Sequence, residues 1–494
     1  MKMQRRDLLQ FGALTAAGML LPGCSRVVRR ALPVQSPDSI ALPQGDVAPL
    51  VRLVNRVSFG PRPGDLARIA AMGLTRYIDE QLNADDREDM VLTARLHSVE
   101  VFQTSAIELG DLPERAVVRQ LQQAALLRAV YSRHQLRERM VDFWSNHFNI
   151  YAHKGWGAYF KPLDEMQVVR RHALGMFPDM LRASAHSPAM LSYLDNQTNR
   201  RGVPNENYAR ELMELHTLGV DGGYTQKDVQ EVARCFTGWT VEDRFLRRRG
   251  NFRFDPAQHD DGPKTVLGLK IPPGGGQQDA ERVLAILAEH PATARFIARK
   301  LCRYFVGEEN SHWVSKLAAI YLQTKGDIKA MLRPLLLSPQ LLHAPPIVKR
   351  PFDFMVSALR TLNADTAGSA QLQEHLARMG QPLYLWPMPD GYPSQTAAWT
   401  GSLLARWNFA SALAHGEVGG TSVDLSALAS SDAIAHDAAD SKDHKQVRAL
   451  AQIILPGQAA TDRYTTLLKQ LANHSVQRSE VAALLLCSPQ FQWR

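Results

Sequence analysis

The densest chemistry in this chain lies in one run, PNENYARELMELHTLGVDGGYTQKDVQEVARCFTGWT, from Pro204 to Thr240. Pro204 suits a helix start, where its missing N–H goes unneeded. At 100° per residue, Glu206, Asn207, Arg210, Glu211 and Glu214 share one arc of about 140°. Tyr208, Ala209, Leu212, Met213 and Leu215 fill the opposite arc, with His216 in its middle. The polar face reads in two ways. Glu206, Arg210 and Glu214, at i, i+4 and i+8, make an ion ladder on a wetted helix face. Alternatively, Glu211 and Glu214, at i and i+3, hold two carboxylates about 5–6 Å apart at Cβ. That spacing suits a divalent metal, or an acid/base pair whose pKa values are driven apart by repulsion.

Three further places carry reactive types. In RERMVDFWSNHF (137–148) the apolar residues form one helix face, with His147 inside it and Arg137 near it. A lone core histidine is usually a hydrogen-bonded structural residue. Two, His147 and His216, in separate helices, with carboxylates available, open a second reading: His147 as an acid/base group, or His147, His216 and Glu214 as metal ligands. His259, in QHDDGPK (258–264), lies either at the lip of a site as a further acid/base group or in a plain polar turn. In LYLWPMPDGYPSQTAAW (383–399), Tyr384, Trp386, Tyr392 and Trp399 sit among three prolines. They form a platform for stacking on sugar rings, with Glu206 and Arg210 as polar substrate contacts, or they plug a core. Asp221–Thr225 resembles half a calcium loop, but Thr217 and Gly219 stand where acidic ligands belong. No GxSxG, HExxH, Walker A or dinucleotide-binding glycine pattern occurs in a fitting context.

The elements that position these residues are helices nearly throughout. Helical patterning covers about 52–59, 63–82, 113–150, 159–175, 204–220, 225–238, 279–288, 291–306, 310–323 and 326–337. It resumes at about 350–363, 370–379, 399–415, 442–454, 460–473 and 477–487. Thr225 and Asp228 fit a capping box. Strand-like alternation appears only at 251–271, where Phe252–Phe254 and Thr265–Ile271 predict one small hairpin. The fold class expected is therefore all-α with that hairpin, in a single helical domain over 49–494. Ser-Pro pairs at 187–188, 338–339 and 488–489 follow helical patterns and read as helix stops. Arg247–Arg249 reads as a solvated basic loop.

The N-terminus sets the compartment. Arg5-Arg6 precedes an apolar stretch of about 14 residues, too short to span a bilayer, and the stretch ends in Leu21-Pro22-Gly23-Cys24. Residues 1–23 therefore read as a twin-arginine or general export leader. The ending resembles the lipobox of bacterial lipoproteins, which implies lipidation at Cys24 and a tether over 24–48. The expected location is the cell envelope, on a lipid anchor. The +8 net charge falls by two when Lys2, Arg5, Arg6 and Asp7 leave with the leader. A modestly basic exported protein suits anionic surfaces and polysaccharide. Nucleic acid is excluded as a partner by export and by the lack of a basic-aromatic motif. Cys235, Cys302 and Cys487, far apart and without CxxC spacing, read as buried apolar residues.

Several of these blocks together resemble one bacterial family, the domain of unknown function 1800 (DUF1800). They are LVNRVSFGPRPGDLARIAAMGLTRYIDEQL, RERMVDFWSNHF, YLDNQTN, the 204–239 run, QHDDGPKTVLG, HPATARFIARKLCRYFV and PMPDGYPSQTAAW. The resemblance implies a mostly helical, exported protein encoded beside a second exported family that is similar to sulfatases and alkaline phosphatases. It carries over no catalytic residue. The expectation is an enzyme acting on cell-surface or extracellular polysaccharide, with Glu211, Glu214, His147 and His259 as acid/base groups or with a divalent metal. The alternative is a non-catalytic assembly or carbohydrate-binding subunit for a co-exported phosphatase-like partner. A metal-dependent oxidoreductase is a weaker third reading, resting on the export route.

Overall fold

Serine and proline punctuate the chain. Ser187, Ser338 and Ser488 each end one helix and cap the next, the short helices Pro188–Tyr193, Pro339–Leu342 and Pro489–Gln492. The Ser338 and Ser488 hydroxyls accept from the backbone N–H of Leu341 and Phe491, at 3.1 and 3.4 Å. Proline at the first helical position then needs no partner for its nitrogen. The expected helix stops are thus helix starts as well. A computed structural model describes residues 47–83, 90–97, 99–102, 104–242, 250–429, 442–457 and 477–494. The leader, Cys24, the tether up to residue 46, Arg247–Arg249 and the 460–473 pattern lie outside the described residues.

The fold is 63% helical, with three small two-stranded antiparallel sheets. Helix ends follow the sequence pattern closely: Gln278–Glu289, Pro291–Phe305, Ser311–Thr324 and Pro351–Thr361 are examples. The 113–150 pattern divides into Glu114–Tyr131 and Gln135–His147. At the junction, the Gln135 side chain donates to the carbonyls of Ala129 and Ser132. Two helical patterns widen partway into π-helix, at Glu165–Arg170 and Leu212–Thr217. In the second, Leu218 N–H bonds the Met213 carbonyl at 2.8 Å, and the Thr217 hydroxyl takes the Leu212 carbonyl at 2.7 Å. A π-turn admits one extra residue, so side chains beyond it leave the arc an α-helical wheel assigns.

The expected single hairpin is corrected. Strands β1 (Trp239–Val241) and β2 (Phe252–Phe254) pair with each other. β3 (Lys264–Val266) and β4 (Leu269–Ile271) form a separate hairpin. Leu267 and Gly268 both have positive φ, 50° and 78°, the backbone a two-residue turn needs between right-twisted strands. That tight turn pairs 264–271 with itself, leaving Phe252–Phe254 to find β1. β5 (Asp365–Thr366) pairs with β6 (Thr421–Ser422).

Two apolar cores are built. One gathers helices from Leu53 to Leu341; the other centres on Pro351–Thr361 and holds Leu403–Ala414 and Arg478–Cys487. Every residue of Pro351–Thr361 is buried, so its polar side chains need internal partners. Asp353 pairs with Arg139 and Arg350, and Arg494 lies 3.8 Å away. Arg350 also pairs with Asp142. The Arg139 guanidinium sits between the Phe59 and Tyr304 rings, 4.7 Å from each. Burial alone would raise the Asp353 carboxyl, but Arg139, Arg494 and Arg350 hold it well below the usual carboxylate range. Beside this network Ile347 and Arg494 exchange both backbone hydrogen bonds, and Lys349 N–H bonds the Gln492 carbonyl. The three described cysteines are buried free thiols. No helix among the described residues is long and apolar enough to cross a membrane.

Candidate functional site

Two asparagines bring the signature blocks together. Asn146 clamps Tyr392, accepting its N–H at 2.7 Å and donating to its carbonyl at 3.1 Å. Asn149 donates to the carbonyls of Trp386 and Met388, at 3.0 and 2.7 Å. Ala152 N–H bonds the Tyr384 carbonyl. Gly391 fits because its φ is +75° and because a Cβ there would stand 2.3 Å from the Asn146 carbonyl oxygen. From the other side, the Tyr193 hydroxyl donates to the Pro387 carbonyl at 2.7 Å. Tyr193 opens the YLDN block. Its Asp195, in left-handed backbone, takes Lys154 Nζ at 2.8 Å and Asn207 Nδ2 at 3.3 Å. These bonds bring residues 146–154, 193–195, the helix from Asn207 and the 384–392 loop to one junction, the candidate cleft.

The charges at this cleft are uneven. Glu211 is half-buried, and its carboxyl is raised by burial, then by Glu214 and, more weakly, Asp390, against the opposing pull of Arg210. Burial pushes the Tyr193 phenol up, with Glu211 and Asp390 adding to it. Asp390 is exposed and accepts from the Trp386 indole N–H at 3.2 Å. Glu211 thus lies within electrostatic reach of Glu214, Asp390 and Tyr193.

Behind them, His147 and His216 meet, with ring centroids 6.0 Å apart. His147 Nε2 lies 3.1 Å from the His216 carbonyl oxygen, which can only accept, so Nε2 carries the proton. Nδ1 is then a lone pair, and Lys300 Nζ donates to it at 2.8 Å. Burial, then Lys300 and His216, lowers the His147 imidazole well below its usual value. Burial, then Lys300, pushes His216 down to about 3. Burial and Arg303 bring Lys300 itself down to about 7, with Asp390 pulling the other way.

A small cavity of about 60 Å³ lies beneath the loop, lined by Glu138, Glu165, Arg170, Ser145 and Tyr384 among others. That is room for a few waters. Its charges are paired: Arg170 forks onto Glu138 with two 2.8 Å bonds, and Lys161 holds Asp164 and Glu165. The π-helix Glu165–Arg170 supplies two of these side chains.

The comparisons with known proteins now bear on this geometry. Residues 52–493 match the family described as protein of unknown function, DUF1800. The chain belongs to this family. No curated protein and no solved structure matches it.

In this DUF1800 chain the sequence-predicted residues separate into groups. Glu211 and Glu214 lie within electrostatic reach of each other. Glu206 and Arg210 form a 3.0 Å pair, closed into a ring by Gln226. Arg210 bonds Glu206 and Gln226 and not Glu214, so the ladder stops at one pair. The expected ligand trio of His147, His216 and Glu214 is not assembled: both His147 nitrogens are engaged, one by a lysine amine. Among the described residues no group of three or more His, Cys, Asp or Glu is placed to hold a metal ion. The Asp221–Thr225 turn is no exception.

His259 is a core residue rather than a lip residue. It is 2% exposed, bonded to the Thr237 carbonyl at 2.8 Å and to Asp279 at 3.3 Å, and Asp279 also holds buried Lys264 at 2.6 Å. The aromatic platform contracts to one ring. Tyr392 and Trp399 are buried and hydrogen-bonded to Pro382 and Pro393 carbonyls. Tyr384, at φ +64°, turns its phenol inward, where burial raises it well above its ordinary value. Trp386 remains half-buried, tilted 43° against Tyr392 with ring centroids 4.9 Å apart.

The sequence offered no signal for Lys300, which sits in an ordinary helical pattern 153 residues from its histidine. Asn146, Asn149, Tyr193 and Asp390 lay inside quoted blocks but were passed over for the more reactive types beside them.

Proposed function

We propose that this DUF1800 protein is an envelope hydrolase acting on an extracellular or cell-surface polysaccharide. Glu211 serves as general acid with Asp390 as the second acidic residue, and Trp386 is the ring on which a sugar stacks. The raised carboxyl of Glu211 carries this proposal: burial and the neighbouring Glu214 favour its protonated form, while Asp390 stands in water. A pair of acidic residues flanking the scissile bond is the working arrangement of glycoside hydrolysis. Glu214 acts through Glu211, and the nearby Lys300 amine, brought down to about 7 by burial, contacts His147. The export leader and the lipobox-like Cys24 support action at the cell envelope.

The test is release of reducing ends from a panel of extracellular polysaccharides by the full-length protein. Glu211→Gln and Asp390→Asn are each expected to lower turnover by about 100-fold or more, with the melting temperature within a few degrees of wild type. Turnover unchanged in both variants overturns the assignment. So does saturable glycan binding without turnover, which gives the chain the other role, a binding or assembly subunit for a co-exported sulfatase- or phosphatase-like partner.

A further inference from the structure

A groove of about 840 Å³ opens beside the candidate cleft. Residues 197–206 form one wall, and the β1–β2 pair with the loop after it forms the other. The seam between them is tight. Gly238 N–H bonds the Asn199 carbonyl at 3.0 Å, and Arg201 N–H bonds the Gln258 carbonyl at 2.7 Å. The Thr240 hydroxyl donates to the Gln197 carbonyl at 3.0 Å. Gly238 has φ +79°, and a Cβ there would stand 2.5 Å from the Asp255 carbonyl oxygen, so the close approach requires glycine. Buried Asn199 fixes the floor. Its side chain donates to Asn196 and to the Ala233 carbonyl, at 3.1 and 2.8 Å, and accepts the Asn205 N–H at 2.9 Å.

The groove adjoins the cleft at Asp195. Asn205 donates to the Asp195 carbonyl at 3.4 Å, and Asn207 reaches the Asp195 carboxylate. Glu206, which the acid pair leaves unused, lines the groove. Its Oε2 holds Arg210 and Gln226, and its Oε1 bonds no described residue. Asp255 holds Arg253 at 3.0 Å. Arg200 and Gln258 are exposed, and their side chains bond no described residue. The Gln197 amide oxygen accepts from the Ser192 hydroxyl, which leaves its NH₂ open.

This lining has two apolar side chains, Val203 and Pro204, too few for a hydrophobic ligand. It also lacks the row of unpaired cations that a polyphosphate or nucleic acid needs. Open amide, guanidinium and carboxylate groups on a fixed floor, with the carboxylates already paired, match hydroxyls, which donate and accept at once. We propose that the groove binds a run of uncharged, hydroxyl-rich sugar residues, continuous with the sugar in the cleft. The proposal rests on the glycan reading of the cleft but not on turnover there.

Affinity electrophoresis of the full-length protein in detergent tests this, through gels containing dextran, pullulan, glucomannan or polygalacturonate. Retention by at least one neutral polysaccharide is expected, stronger than by polygalacturonate. Arg200→Ala combined with Gln258→Ala should weaken that retention about tenfold, with the melting temperature unchanged. Such retention without release of reducing ends would defeat the hydrolase and keep the groove. Release of reducing ends with the KM for the polymer unaltered in the double variant would defeat the groove and keep the hydrolase. The groove is also overturned if no neutral polysaccharide retains the protein, if polygalacturonate retains it more strongly, or if the double variant is retained like wild type.

Discussion

Replacing Lys300 by methionine keeps the apolar stem and removes the amine. In the native protein that amine ionises at about 7, against 10.5 for an ordinary lysine. The folded value is depressed and the charged form is the protonated one, so between pH 7 and pH 10.5 the unfolded chain binds the extra proton. Unfolding free energy therefore rises with pH across that window, by about 1.4 kcal/mol per unit. Below pH 7 both states are protonated and the native state carries the whole penalty, at most about 5 kcal/mol; above pH 10.5 none remains. A methionine side chain cannot titrate. The stability of wild type minus that of Lys300→Met should climb through the window by several kcal/mol. Above it, only the lost bond to His147 Nδ1 separates the two proteins, about 1 kcal/mol in favour of wild type. Lys349, also brought to about 7 by burial, titrates in both proteins and cancels in the difference. Urea unfolding followed by tryptophan fluorescence at pH 7, 8, 9 and 10 measures it. Parallel stability curves for the two proteins would refute a desolvated amine at this position.

Two other substitutions probe the frame around the cleft. Asp353→Asn leaves Arg139, Arg350 and Arg494 buried without their shared carboxylate and should cost about 3–5 kcal/mol in urea unfolding; a loss under about 1 kcal/mol would show that Asp142 alone suffices. Gly391→Ala puts a methyl group against the Asn146 carbonyl at a positive φ. Faster amide exchange is expected across 384–392, above all at Tyr392, with the helical core unchanged; unaltered exchange there would show that the clamp tolerates the methyl.

The helical class and most helix ends were legible because they rest on local rules: apolar spacing at 3.6 residues, Ser-Pro junctions, and the Thr225 capping box, present as read. What failed was non-local or broke the assumed period. The wheel that placed Glu206, Arg210 and Glu214 on one face assumes 100° throughout, and the π-turn at Leu212–Thr217 ends that assumption midway. The wheel did put His147 and His216 on apolar faces, and both are buried. It could not supply Lys300, whose partner lies in another helix. The hairpin at 264–271 was hidden because Leu267-Gly268 lacks the usual Asn-Gly or Asp-Gly signature. Of the four loop aromatics, burial could not be told from display, since rings that plug a core and rings that bind sugar have the same composition. Only hydrogen bonds to specific carbonyls separate Trp399 from Trp386.

The pairing of Ile347 and Arg494, together with the Asp353 network, sets an order of assembly. Arg139 leaves the ribosome long before its carboxylate at residue 353, and Arg494 joins the same cluster later still. Arg52 and Arg56 wait likewise for the carbonyls of Ala344 and Pro345. A nascent chain carrying only the first half thus holds cationic side chains destined for the interior with no acceptors yet made. A chain cut short of residues 492–494 would forfeit the Ile347 pairing and the approach of Arg494 to Asp353.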